Sequence, residues 1–83
     1  MSVYFFTFRS VTLAQRGEGV LAGEGLRVVL ARTPRWMEER GCGYSLRVRT
    51  DEPARWAEVL RRRGVEFRKV YRMADSSVEE VAV

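Results

Sequence analysis

The sequence VYFFTF at residues 3–8 consists of β-branched and aromatic residues, and the polar pair Arg9-Ser10 follows it. Residues of these types favour β-strands. Because apolar side chains occupy both alternating sets of positions, the pattern predicts a strand that is covered on both of its faces. We therefore expect this strand in the middle of a sheet, and the other elements are predicted outward from it.

Two helices are predicted from capping residues and apolar spacing. Ser10 is a suitable N-cap, and the apolar residues that follow it recur at helical spacing until Gly23 or Gly25. A second helix is expected to begin after Asp51, another suitable N-cap, and to end at Gly64. Its apolar stripe consists of Trp56, Val59 and Leu60.

Three further strands are predicted at residues 26–30, 44–49 and 65–71, and a loop at residues 31–43 joins the first two of them. The alternation in the last strand slips, which indicates a β-bulge or an edge position. The resulting order, βαββαβ, is that of the ferredoxin-like motif. The sequence therefore predicts an α+β fold with a four-stranded antiparallel sheet, both helices on one face, and the first and third strands in the middle.

The length of 83 residues suits a single domain, which we place at residues 1–73. Residues 74–83 carry three acidic residues and no clear pattern, so we expect them to form a flexible acidic tail. The doubly apolar first strand implies that the helix-free face of the sheet is partly apolar. Such faces are often contact surfaces, so we expect a homodimer that uses this face.

The composition excludes several kinds of chemistry. The chain contains one cysteine and no histidine, so it has no Cys-His pair, no internal disulfide and no imidazole base. We therefore expect neither a metal site nor a cofactor. The first residues lack the pattern of a signal peptide, and no apolar run approaches the ~20 residues of a membrane span. With a free cysteine, these features predict a cytoplasmic protein without membrane contact.

The single cysteine, Cys42, is the residue best suited to covalent chemistry. Gly41 and Gly43 flank it, which leaves the sulfur open to approach, and Gly43 also permits unusual backbone conformations. Arg40 and Arg35 are close in sequence, and neighbouring guanidinium groups lower the pKa of a thiol. These residues predict a reactive thiolate, although a free cysteine can also serve as a small apolar filler.

The chain resembles the selenium/sulfur carrier protein-like family of small bacterial domains over about residues 3–73. The residues that carry the resemblance are Tyr4-Phe5-Phe6-Thr7-Phe8 with Ser10, Thr33-Pro34-Arg35, Cys42-Gly43 and Val70-Tyr71-Arg72. The resemblance implies that Cys42 carries sulfur or selenium as a persulfide or perselenide. Residues 36–40 (WMEER) depart from the small residues usual in the family, which bears on the shape of the loop and the choice of partner.

On this interpretation the protein is a stoichiometric carrier and not an enzyme, because it has no general base. Arg35, Arg40, Gly41 and Gly43 would form the surroundings of the carrier thiol, and Trp36 would hold the loop over it. A cysteine desulfurase is the expected type of sulfur donor. The main alternative is a ferredoxin-like dimer with only a regulatory or scaffold role.

RNA binding is a further alternative. The chain is basic, with fourteen arginines and one lysine against eleven acidic residues, and residues 40–44 (RGCGY) partly match the third-strand signature of RNA-recognition domains. However, Cys42 occupies the place of the first stacking aromatic. If Tyr44 faced RNA, Leu46 and Val48 would lie on the same open face, which is costly. We therefore do not expect nucleic acid as a partner.

Overall fold

The computed structural model describes residues 1–35, 43–75 and 77–83. In chain order the elements are β1 (Ser2–Phe8), α1 (Val11–Gly23), β2 (Val28–Arg32), β3 (Tyr44–Thr50), α2 (Pro53–Arg62), β4 (Val70–Ala74) and β5 (Ser77–Val81). The strands form one antiparallel sheet in the order β2-β3-β1-β4-β5. The protein is therefore α+β, and its first six elements follow the predicted order βαββαβ.

Strand β1 is at the centre of the sheet, as its sequence predicts. Tyr4, Phe6 and Phe8 belong to the main apolar core, which they share with residues of both helices. Phe5 and Thr7 point to the opposite face and are also buried, with Phe5 only 7% exposed. Side chains of both alternating sets are thus buried. Both helices pack on the face that carries Tyr4, Phe6 and Phe8.

The two helices begin in different ways. Ser10 is the N-cap of α1, and its hydroxyl accepts a hydrogen bond of 3.2 Å from the backbone N–H of Leu13. Asp51 was predicted to cap α2, and this is wrong: the N-cap is Glu52, and no side chain caps it. Asp51 lies instead 3.9 Å from the N-terminal amino group. The residue that fixes the start of α2 is Thr50, at the end of β3.

The hydroxyl of Thr50 accepts two hydrogen bonds. The indole N–H of Trp56 and the backbone N–H of Glu52 each donate to it at 3.0 Å. Thr50 and Trp56 are both buried. This hydroxyl therefore joins the end of a strand to the first turn of the next helix.

Replacing Thr50 by valine should lower the free energy of unfolding by about 2–3 kcal/mol, because a buried indole N–H loses its acceptor. Thr50→Ser keeps the hydroxyl and should cost about 1 kcal/mol or less. Urea denaturation followed by tryptophan fluorescence would measure both variants. Equal losses in the two would mean that the methyl group, and not the hydroxyl, accounts for the effect.

Both helices end at a glycine with a positive φ. Gly25 has a φ of 91° after α1, and Gly64 has a φ of 72° after α2. The N–H of Leu26 donates to the carbonyl of Leu21, and that of Val65 donates to the carbonyl of Leu60. These 6→1 bonds define Schellman motifs, which favour glycine because a Cβ is strained in the left-handed region.

The fourth strand is shorter and later than predicted. It was expected at residues 65–71 and occupies Val70–Ala74. Thr7 of β1 pairs with two successive residues before it: the N–H of Thr7 donates to the carbonyl of Lys69 at 2.9 Å, and its carbonyl accepts from Arg68 at 2.8 Å. Two residues opposite one is the arrangement of a β-bulge, which explains the slip in alternation.

The prediction of a four-stranded sheet is wrong, because residues 77–81 form a fifth strand where a flexible acidic tail was expected. Strand β5 pairs with β4 along its length, with Val81 opposite Val70 and Glu79 opposite Arg72. The carboxylate of Glu79 forms an ion pair with the guanidinium of Arg72. Val81 also packs against the core. A strand can therefore contain these acidic residues, because Glu79 has an ionic partner on β4 and Val81 contacts the core.

Ending the chain after Asp75 should lower the free energy of unfolding by about 2–4 kcal/mol, because the core loses the packing of Val81 and Val83. Arg72 would also lose its ionic partner. The variant Val81→Ser in the full chain provides a comparison that keeps the backbone pairing, and it should cost less. Thermal unfolding by circular dichroism would measure both. An unchanged midpoint after truncation would show that β5 contributes nothing to stability.

The helix-free face of the sheet consists of the residues that alternate with the core positions. It carries Val3, Phe5, Tyr71 and Met73 near its centre and Val29 toward one edge, with Val29 43% exposed. The homodimer through this face stays a prediction. In the described ranges, neither helix has the length and apolar character needed to cross a lipid bilayer.

Candidate functional site

The candidate site lies at the end of the β2–β3 hairpin. Arg32 of β2 is opposite Tyr44 of β3, and the next pair outward is joined by a hydrogen bond of 2.9 Å from the N–H of Thr33 to the carbonyl of Gly43. This bond fixes the backbone at the residue that follows Cys42 in the chain. Cys42, Arg40, Gly41 and Trp36, on which predictions were made, lie outside the described residues.

Gly43 is half-buried, and a Cβ built on it would meet no atom of the described residues within 4 Å. Its backbone does not have a positive φ, so the unusual conformation allowed by the sequence is not used here. Neither a positive φ nor a close contact with another described residue therefore requires a glycine at position 43.

Two of the arginines near the end of the hairpin are described. Arg35 is exposed, and its guanidinium has no ion-pair or hydrogen-bond partner that the structure describes. The guanidinium of Arg32 lies 5.4 Å from the ring centroid of Tyr44 and 3.4 Å from its hydroxyl oxygen. A cation held over an aromatic ring gains a modest attraction. Among the described residues, no acidic side chain pairs with either of these two guanidinium groups.

The N-terminus of α1 adds to this positive potential. Phe8 at the end of β1 is opposite Tyr44 at the start of β3, so the chain leaves β1 at the same end of the sheet as the β2–β3 connection. Helix α1 begins only three residues later, at Val11. The N-terminus of a helix carries a partial positive charge, which stabilises anions within about one turn.

Thr33 is a residue that the sequence reasoning did not single out for a role. It is 5% exposed, and its hydroxyl oxygen has no hydrogen-bond partner among the residues that the structure describes. An unsatisfied buried hydroxyl costs about 1–3 kcal/mol, so it is unusual in a native protein. The available signal was its place in Thr33-Pro34-Arg35, one of the segments that carry the family resemblance.

Comparison with known proteins identifies the family. A family model described as "Putative Se/S carrier protein-like" matches residues 3–72. The chain belongs to this family. The match extends from β1 into β4 and includes Cys42, whereas β5 lies beyond it. No curated protein and no solved structure matches the chain.

The position of Tyr44 bears on the RNA-binding alternative. Tyr44, Leu46 and Val48 all pack with the core under the helices, so the ring of Tyr44 is directed away from the helix-free face. The sequence argument that Tyr44 shares its face of β3 with Leu46 and Val48, and that this face is not the open one, is therefore correct. The RNA-recognition signature needs aromatic rings on the open face of the sheet to stack on bases, and Tyr44 of this family member cannot serve in that way.

The described ranges contain no group of three or more acidic or cysteine side chains that could hold a metal ion. The groups found at the hairpin end are instead guanidinium, hydroxyl and backbone N–H groups. All of these can donate hydrogen bonds to an anion. The chemistry offered by the described residues is the stabilisation of negative charge.

Proposed function

We propose that this protein is a sulfur or selenium carrier that holds the chalcogen atom on Cys42 as a persulfide or perselenide. The observation that carries the proposal is the family match over residues 3–72, which includes the single cysteine of the chain. The description of the family names the cargo, and Cys42 is the one side chain able to bind it covalently. In this proposal the protein works in the cytoplasm and takes sulfur from a donor such as a cysteine desulfurase.

The transfer step conserves atoms and electrons. The Cys42 thiolate attacks the outer sulfur of a donor persulfide, a new S–S bond forms on Cys42, and the donor's S–S bond breaks. The donor cysteine leaves as a thiolate, and a proton on the outer sulfur stays with that sulfur until it is lost to water. There is no net oxidation or reduction. For selenium the same step transfers the outer selenium atom of a perselenide.

The described residues at the hairpin end support this step through charge. Arg35, Arg32 and the N-terminus of α1 favour an anion there, and both the attacking thiolate and the resulting persulfide are anionic. No described residue crowds Gly43, which suits the approach of the donor. Since the chain has no histidine and no second cysteine, the cargo must leave to an external acceptor.

The alternative of a purely regulatory or scaffold module predicts no covalent cargo, and mass spectrometry separates the two. The full-length protein is incubated with a cysteine desulfurase, pyridoxal phosphate and cysteine. The carrier function predicts the added mass of one sulfur atom, which a thiol reductant then removes. Absence of any adduct with several desulfurases would favour the scaffold role.

A further inference from the structure

A second charged region lies on the helix-free face, away from the hairpin end. Arg47 and Arg49 belong to the alternating set of β3 that faces away from the helices, since Leu46 and Val48 are in the core. Arg47 is opposite Val29 on one side and Phe5 on the other, and Arg49 is opposite Val3. Two cations therefore stand beside apolar residues on the same face.

These residues border a groove. A half-open cavity of about 390 Å³ is lined by Val3, Arg27, Val29, Arg47, Val48 and Arg49. Three valines and three arginines line this cavity. Ligand pockets typically have volumes of about 300–1,000 Å³, so the groove is large enough for a small molecule.

The three arginines of the groove are not neutralised. Arg27, Arg47 and Arg49 are exposed, and no hydrogen bond or ion pair joins any of them to another group in the described part of the chain. Other arginines do have acidic partners: the pairs are Arg55 with Glu52, Arg62 with Glu58 and Arg72 with Glu79. The groove therefore brings three unpaired guanidinium groups of the described residues around one cavity.

Acidic residues near this face have other cations beside them, and the carboxylate of Asp51, two residues after Arg49, lies 3.9 Å from the N-terminal amino group. Glu80 belongs to β5, at the opposite edge of the sheet from β2, and its carboxylate is 3.5 Å from the ammonium of Lys69. Mutual repulsion among three guanidinium groups around one cavity is relieved when an anion binds between them. The planar guanidinium fork matches the oxygen atoms of phosphate groups in particular.

We propose that the groove formed by Arg27, Arg47 and Arg49 binds a ligand that carries two or more phosphate groups. The guanidinium groups contact the phosphate oxygens, and Val3 and Val29 contact the less polar part of the ligand. Along β3, Arg49 follows Tyr44 by five residues of extended strand, or about 17 Å. Binding here does not require the chemistry of Cys42.

The test uses the full-length protein and inorganic tripolyphosphate, with titration calorimetry at low ionic strength. A triple variant, Arg27→Gln with Arg47→Gln and Arg49→Gln, should bind at least about tenfold more weakly than the unmodified protein. The matched control removes the same charge elsewhere, with Arg16→Gln, Arg63→Gln and Arg68→Gln, and should change the affinity by less than about threefold. Circular dichroism checks that both variants are folded.

A parallel titration with a short oligothymidylate distinguishes the sources of phosphate. Binding of tripolyphosphate alone supports a small phosphorylated ligand, and tighter binding of the oligonucleotide supports a nucleic-acid backbone. Two results would overturn the proposal. One is the absence of tripolyphosphate binding, which is also the result expected if the homodimer predicted through the helix-free face covers the groove. The other is an equal loss of affinity in the two triple variants, which would show that net charge alone accounts for the binding.

Discussion

Replacing Cys42 by serine is expected to abolish sulfur loading completely. Serine has nearly the size of cysteine, but its hydroxyl is not an effective nucleophile toward a persulfide at neutral pH, since the reaction needs a thiolate. With a cysteine desulfurase and cysteine, the unmodified protein should gain one sulfur atom and Cys42→Ser should gain none. Intact-protein mass spectrometry measures both. A sulfur adduct on the serine variant would place the cargo elsewhere.

Stability provides the control for this variant. The free energy of unfolding should change by about 1 kcal/mol or less, because the carrier function requires an accessible cysteine, and such a residue contributes little to the core. A loss of several kcal/mol would instead mark Cys42 as a buried structural residue and contradict the carrier function. Arg35→Gln, in contrast, should slow loading without preventing it, because it removes a positive charge from the connection between β2 and β3 that contains Cys42. Arg16→Gln on α1 is the matched change and should leave the rate unaltered.

Replacing Gly17 by valine should cost about 3 kcal/mol of stability, a large part of the roughly 5–15 kcal/mol that small domains have in total. Gly17 is buried on the face of α1 that packs on the sheet. A Cβ at this position would lie 3.1 Å from both the Cδ1 of Leu46 and the Cζ of Phe8. Both of these side chains are fully buried, so they have little room to move.

The same substitution two residues later is the matched control. Gly19 is exposed on the same helix, and a Cβ there would meet no atom within 4 Å. Gly19→Val should therefore raise stability by a few tenths of a kcal/mol, through helix propensity alone. Urea denaturation followed by circular dichroism gives both values. If Gly17→Val were as stable as Gly19→Val, the close approach of α1 to the sheet would be refuted.

The local patterns of the sequence were sufficient for most of the fold. The doubly apolar run at residues 3–8 predicted the central strand, and Ser10 and Gly64 predicted a helix start and a helix end. These features depend on interactions within a few residues, such as an N-cap hydroxyl or the freedom of glycine in the left-handed region. The family resemblance likewise followed from short segments of sequence and is confirmed by the family match.

The site was predicted only in part, because its residues interact over long distances. Cys42 and its neighbours were chosen from composition, and they lie outside the described residues. The pairing of Thr33 with Gly43, the unsatisfied hydroxyl of Thr33 and the contact of Arg32 with Tyr44 all depend on the register of β2 and β3. A register is set by packing across the whole sheet, and no single segment specifies it.

The sequence by itself determined the order of the first six elements, the single thiol and the excess of arginine, because these are properties of composition and local period. Only the tertiary structure decided that residues 77–81 form a strand. Their acidic residues have little β-propensity of their own, and they become a strand because β4 offers unpaired backbone groups and Arg72 offers a charge for Glu79. The groove of Arg27, Arg47 and Arg49 has the same origin, since residues distant in sequence meet only when β2 and β3 pair.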